Sequence, residues 1–248
     1  MLKKLKKILV LGDSLLRGVV IGQDKKYVQL PDSSVSEVER TVRVDIENSS
    51  MFGMTAKKAL SRFFQKPRNL SGYAVLIEYG GNDCNFDWKQ ISERPLDEHL
   101  PVTPLDEFES NLLNMVKTTR NAGGFPVLMT LPPIHAPKFL DWVTRNGESR
   151  ENILLWLGDT EHIYRWQERY NLAINRVALS TGTPIIDVRE RFLSYGRYED
   201  YLCEDGMHVN KLGHMLMADT FISFVNKHRH LFEDNPESAN LKLESGHA

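Results

Sequence analysis

The sequence predicts an α/β fold: a three-layer α/β/α sandwich in which a five-stranded parallel sheet is covered by helices on both faces. Two observations carry the prediction. Short apolar runs alternate with longer amphipathic stretches, as repeated βα units require. Each run is also brief and almost wholly apolar, the composition of a strand with helices on either side. The strands fall at residues 7–11, 42–47, 73–79, 126–131 and 184–188.

The first strand competes with another reading, because residues 1–7 hold four lysines ahead of Ile8-Leu9-Val10-Leu11, the order of a secretory segment. Gly12-Asp13-Ser14 ends that apolar run after four residues, whereas a signal core needs about 7 to 15 and a membrane span about 18. The run is therefore read as a buried strand behind a solubilising basic lead. Without a secretory signal the chain is expected in the cytoplasm, with Cys84 and Cys203 as reduced, buried thiols.

Between the third and fourth strands, Thr103-Pro104-Leu105-Asp106 supplies an N-cap, a proline at the first helical position and an acid at the third. These open a helix that runs to Gly123-Gly124. After the fourth strand the alternation breaks. Residues 132–158, proline-rich at their start and holding Trp142 and Trp156, read as an insertion or lid on the rim where loops of an open sheet form binding sites. A second long helix covers 159–180, with Ile163, Trp166, Tyr170, Ile174 and Val177 three or four apart on one face as a core stripe. A last helix spans 211–227. No repeat, low-complexity tract or linker divides the chain, so one domain over 1–232 is expected, with a polar tail at 233–248.

With 248 residues the chain is long enough to bury a full core without disulfides or a structural metal. Lys plus Arg is 31 against 33 for Asp plus Glu, a net charge of −2, so there is no electrostatic footprint for nucleic acid or an anionic membrane. The histidines and two cysteines lack the paired spacings of a zinc site. No metal is expected.

Four local features can carry chemistry, and each also has a plain structural reading. Gly12-Asp13-Ser14-Leu15 directly follows the first strand, where the carboxyl ends of parallel strands open into a crevice; Ser14 is a nucleophile there, or a helix N-cap. Asp205-Gly206-Met207-His208 precedes the last helix. Three residues apart in a tight turn, the carboxylate can fix the imidazole tautomer while the other ring nitrogen takes a serine proton, or the turn is simply a cap. Gly80-Gly81-Asn82-Asp83 follows the third strand as a turn, or as the support for an Asn82 amide aimed at an oxyanion. Gly53, after the second strand, can present its own N–H. His214 reads as a helix-face residue without a partner. All four features fall on one rim of one sheet.

Taken together, these blocks resemble those of the SGNH or GDSL hydrolases, a family named for a serine, a glycine, an asparagine and a histidine. Ser14 in Gly-Asp-Ser-Leu is similar to the first block, residues 48–55 with Gly53 to the second, Gly80-x-Asn82-Asp83 to the third and Asp205-x-x-His208 to the last. Val209 stands where the family often has proline, while Asn210 and Gly213 follow as expected. The resemblance spans residues 8–214. It implies a flavodoxin-like sheet, a Ser14–His208–Asp205 triad, an oxyanion hole from the Ser14 and Gly53 N–H groups with the Asn82 side chain, and no metal or organic cofactor.

The expected partner is a small-molecule ester, with no nucleic acid and no membrane insertion. Small acyl esters, O-acetyl groups on sugars among them, are favoured because no long apolar segment offers to bury a fatty chain. A thioesterase or lysophospholipase is the alternative, and a non-catalytic binding protein the third. Trp88, His135 and Trp142, with His99, fall in loops over the same rim as candidate substrate contacts.

Overall fold

The computed structural model describes residues 4–64 and 68–232, so the polar tail at 233–248 lies outside the described residues. In chain order the elements are β1 (Lys7–Leu11), β2 (Val19–Ile21), β3 (Tyr27–Gln29), α1 (Ser34–Val42), β4 (Asp45–Asn48), α2 (Ala56–Phe63), β5 (Tyr73–Ile77), α3 (Trp88–Glu93), α4 (Leu105–Asn121), β6 (Phe125–Met129), α5 (Ala136–Val143), α6 (Arg150–Leu157), α7 (His162–Thr181), β7 (Ile185–Ile186), α8 (Val188–Leu193) and α9 (Lys211–Lys227).

The apolar runs divide their side chains strictly by parity, as a period-2 element must. Ile8 and Val10 of β1 join Ala74, Leu76, Val127 and Met129 in one core beneath α1, α8 and α9. Leu9 and Leu11 join Val75, Ile77 and Leu128 in a second core beneath α2, α4 and α7. Full burial of each such side chain contributes roughly 1.5–3 kcal/mol, which is why these strands are apolar on both faces.

The five parallel strands run in the order β4-β1-β5-β6-β7. Counted along the chain, this is 2-1-3-4-5, the flavodoxin-like order. Its direction reverses between β1 and β5, and ligands bind at such a switch point beyond the carboxyl ends of the strands. The register Leu11↔Ile77 brings the ends of these two strands level, so Ser14 and Asn82 leave the sheet side by side.

Three details of the structure differ from the sequence reading. Val42 closes a helix: Val35, Val38 and Val42 form one buried stripe of α1, and Arg43 caps it in the left-handed region at φ 53° before β4 begins. The last strand is shorter than expected, because the Asp187 side chain accepts the Glu190 N–H and starts α8 at Val188. Finally, α4 begins at Leu105 with Pro104 as its cap. The Thr103 backbone is engaged elsewhere, its N–H donating to the Asp83 carbonyl at 3.0 Å and its carbonyl accepting the Tyr170 hydroxyl at 2.6 Å.

Residues 132–158 contain α5 and α6, which pack with α3 around a third cluster of Phe86, Ile91, Phe139, Leu140, Ile153 and Leu157. Gly206 sets how closely this segment meets the loop before α9. Its φ is +65°, and a Cβ there would lie 2.6 Å from the His135 carbonyl oxygen, so only glycine fits the approach.

Candidate active site

Beyond β1 the chain does not enter a helix. It makes a single turn closed by Arg17 N–H to Asp13 O at 3.1 Å and Val19 N–H to Ser14 O at 2.9 Å, then passes into the β2–β3 hairpin. Ser14 therefore caps no helix. The Asp13 carboxylate accepts the Leu15 N–H at 2.8 Å and supports the turn instead.

Ser14 Oγ lies 2.9 Å from His208 Nε2, and His208 Nδ1 lies 2.6 Å from Asp205 Oδ2. All three residues are buried, Asp205 completely. The other carboxylate oxygen, Oδ1, accepts the backbone N–H groups of Met207 at 3.0 Å and His208 at 2.9 Å. These two bonds leave Oδ2 pointing at the ring. The loop is closed behind them by Cys203 N–H to the His208 carbonyl at 2.7 Å. Asn210 anchors its far end by capping α9 and donating to the Leu202 carbonyl at 3.2 Å.

Asn82 sits beside the serine, its amide nitrogen donating to Asp13 Oδ2 at 2.8 Å and, more weakly, to the Met54 carbonyl at 3.2 Å. Gly53 occupies a turn closed by Met54 N–H to Met51 O at 3.3 Å, and its φ of +67° is the left-handed value such a turn demands. Both Asp83 carboxylate oxygens accept the Ala56 N–H, at 3.0 and 3.1 Å, which ties the Gly53 loop to the Asn82 block. Among the described residues, neither the Ser14 N–H nor the Gly53 N–H has an acceptor. A pocket of about 400 Å³, mouth included, is lined by Asp13, Ser14, Asn82, Gln167, Met207 and His208, with Glu78 at its floor.

Burial dominates the electrostatics under this floor. It pushes the Asp83 carboxyl up to about 7 and raises Asp13. Glu78 is held well above the usual carboxylate range by burial and by the charge of Asp13, whose N–H donates to Glu78 Oε2 at 3.2 Å. Sequence reasoning did not single out Asp13 or Glu78 as site residues, since neither shows its burial in the local pattern.

Nor did it find Tyr27. The hairpin strand β3 is exposed along its length, so it carries no apolar signal, yet the Tyr27 ring lies 5.0 Å from the His208 ring. Of the expected rim residues, Trp142 is buried beside Tyr27 at 6.2 Å, with the Arg145 guanidinium 3.7 Å from its ring. Trp88 donates to Asn85 Oδ1 at 2.7 Å and packs on Phe86 and Phe139. His135 Nδ1 accepts the Lys138 N–H and caps α5, while His99 bonds the Arg94 carbonyl at 2.8 Å. The structure thus gathers Ser14, Asn82, Asp205 and His208 and leaves His135 and His99 tied to local backbone.

His214 has a partner after all. It is buried against Ser34, with Nδ1 3.3 Å from the hydroxyl oxygen, and burial together with the charge of His208 lowers it to about 4. A histidine depressed in the fold stabilises fully above its unfolded value of about 6.5 and loses that contribution as pH falls toward 4. We expect His214 to cost about 3 kcal/mol over this interval. Urea unfolding of wild type and His214→Gln at pH 7.5 and 4.5 tests this, because the buried carboxyls titrate in both proteins and cancel. A wild-type deficit that does not grow on acidification contradicts it.

Cys84 and Cys203 are free, buried thiols, and burial lifts Cys203 to about 11. Among the described residues, no helix is long and apolar enough to cross a membrane, and no group of three or more His, Cys, Asp and Glu side chains is placed to hold a metal.

A serine, a histidine and an aspartate joined by hydrogen bonds at the switch point of a parallel sheet form the constellation of hydrolases that act through a hydroxyl group. A model of the GDSL-like lipase/acylhydrolase family matches residues 10–216, and the chain belongs to that family of ester-cleaving hydrolases. Among solved structures, the lipase/acylhydrolase from Enterococcus faecalis is similar with a TM-score of 0.59 and 18% identity, over 90% of this chain and 96% of that one. A GDSL-like lipase from Bacteroides thetaiotaomicron gives 0.59 and 16%, over 90% and 88%. A catalytic mutant of Axe2, an acetylxylan esterase from Geobacillus stearothermophilus, gives 0.57 and 19%, over 94% and 98%. At these identities the likeness is one of fold. No curated protein sequence matches the chain.

Proposed function

We propose that the protein cleaves carboxylic esters by acyl transfer to Ser14, with small acyl and O-acetyl esters favoured. The observation that carries this reading is the unbroken relay from Ser14 Oγ through His208 to Asp205, at 2.9 and 2.6 Å. As Oγ attacks the carbonyl carbon, its proton passes to Nε2, and Asp205 stabilises the imidazolium that forms. The same proton then leaves with the departing alkoxide. Water, deprotonated by His208, attacks the acyl-enzyme and releases the acid and Ser14.

The negative charge on the former carbonyl oxygen is received by the Ser14 and Gly53 N–H groups and by Asn82. To take part, the Asn82 amide exchanges its longer bond, the one to the Met54 carbonyl, for the oxyanion, while Asp13 holds its orientation. Asn82→Ala is expected to lower kcat about 10²- to 10³-fold with the fold intact by circular dichroism. Loss of folding in its place assigns Asn82 a structural role only.

The small-acyl reading is supported by the modest size of the serine pocket and by one fold neighbour being an acetylxylan esterase. Comparing acetyl, octanoyl and palmitoyl p-nitrophenyl esters and thioesters tests this, with kcat/KM expected to fall with chain length. One feature favours the alternative, a thioesterase or lysophospholipase. An apolar cavity lined by Phe86, Trp88, Ile134, Phe139 and Leu157 shares Gly81, Gln167 and Met207 with the serine pocket, so activity that rises with chain length supports that second reading. The two free thiols agree with a cytoplasmic location.

A further inference from the structure

Among the described residues, only two Phe, Tyr or Trp side chains are exposed: Tyr27 at 38% and Phe52 at 57%. They are far apart in sequence, yet their rings touch, 5.4 Å between centroids. Both border the catalytic machinery. Tyr27 lies against His208, with ring centroids 5.0 Å apart, and Phe52 immediately precedes Gly53. A lone exposed aromatic is ordinary on a protein surface; two that meet, one against His208 and the other next to Gly53, with no others exposed among the described residues, form a local feature beside the site.

The chemistry of the relay says which half of an ester meets them. When the carbonyl–oxygen bond to the alcohol breaks, its electron pair leaves with the alcohol oxygen, and His208 Nε2 gives that oxygen its proton. The departing oxygen must therefore come within hydrogen-bond reach of His208, whose ring is flanked by Tyr27. This orientation leaves the acyl half to the pocket that Gly81, Gln167 and Met207 line.

We propose that the exposed faces of Tyr27 and Phe52 form a stacking subsite for a ring carried by the leaving-group alcohol. This rests on the esterase reading and deepens it: the favoured substrates are small acyl esters of ring-bearing alcohols. An aromatic ring stacks by its π face and a pyranose by its C–H face. Both meet an exposed aromatic in the same way.

The test compares kcat/KM for ethyl acetate, benzyl acetate and a monoacetylated methyl pyranoside in wild type, Phe52→Ala, Tyr27→Leu and Ser14→Ala. In wild type the ring-bearing esters exceed ethyl acetate. Phe52→Ala and Tyr27→Leu are expected to lower the ratio of ring ester to ethyl acetate about five- to tenfold, mainly through KM, and the ester whose ratio falls identifies the ring as saccharide or aromatic. Ratios within twofold of wild type for both ring esters in both variants overturn the subsite while leaving the esterase reading intact. Failure of wild type to hydrolyse any of the three esters, or equal rates in Ser14→Ala, overturns both.

Discussion

Ser14→Ala is expected to lower kcat for p-nitrophenyl acetate by roughly 10⁴- to 10⁶-fold, leaving only what binding and the oxyanion donors supply. The substitution removes one oxygen and keeps Cβ. That oxygen makes a single side-chain hydrogen bond, to His208, and the turn around it is held by backbone bonds from Arg17 and Val19. The fold should therefore survive, with a melting temperature close to that of wild type. A rate within tenfold of wild type, in protein shown to be folded, would remove Ser14 from the reaction and the proposed function with it.

Asp205→Asn is expected to lower kcat about 10⁴-fold, and the reason lies in the two backbone bonds to Oδ1. The Met207 and His208 N–H groups need an acceptor, so the amide oxygen takes their side and the amide nitrogen faces His208 Nδ1. Two N–H groups cannot face each other across that contact. The ring must shift its proton to Nε2, where it can no longer accept one from Ser14. The effect is a tautomer change in an intact pocket, so stability should hardly move while kcat collapses. If kcat in Asp205→Asn falls less than tenfold, the carboxylate is a capping group and His208 is oriented by other contacts.

How much of this was legible in the sequence depended on how local each signal is. Ser14, Asn82 and the Asp205–His208 turn announce themselves because each follows a strand or precedes a helix within a few residues, and the strands of β1, β5 and β6 are continuous apolar runs. The helices from Leu105 and Lys211 likewise carry their boundaries in proline, glycine and apolar spacing. The second strand was placed three residues early, since Val42 belongs to a stripe set by α1 packing on α9 rather than by its neighbours in sequence. Tyr27 was invisible for the opposite reason: it sits in a hairpin strand with no alternation, and only the fold brings its ring against His208. Asp13 and Glu78 look like ordinary acidic residues until the sheet closes water out around them.

The close approach at Gly206 ties the start of α5, within residues 132–158, to the loop before α9. The His135 N–H donates to the Gly206 carbonyl at 2.8 Å, and Lys138 Nζ reaches the Glu199 carbonyl at 2.8 Å, so the start of α5 is fastened to the strip of chain that also carries Asp205 and His208. At that end α5 moves only by breaking these two bonds or by carrying with it the loop that holds Asp205 and His208. It is placed as a buttress behind the Asp205–His208 turn, with the His135 carbonyl set against Gly206.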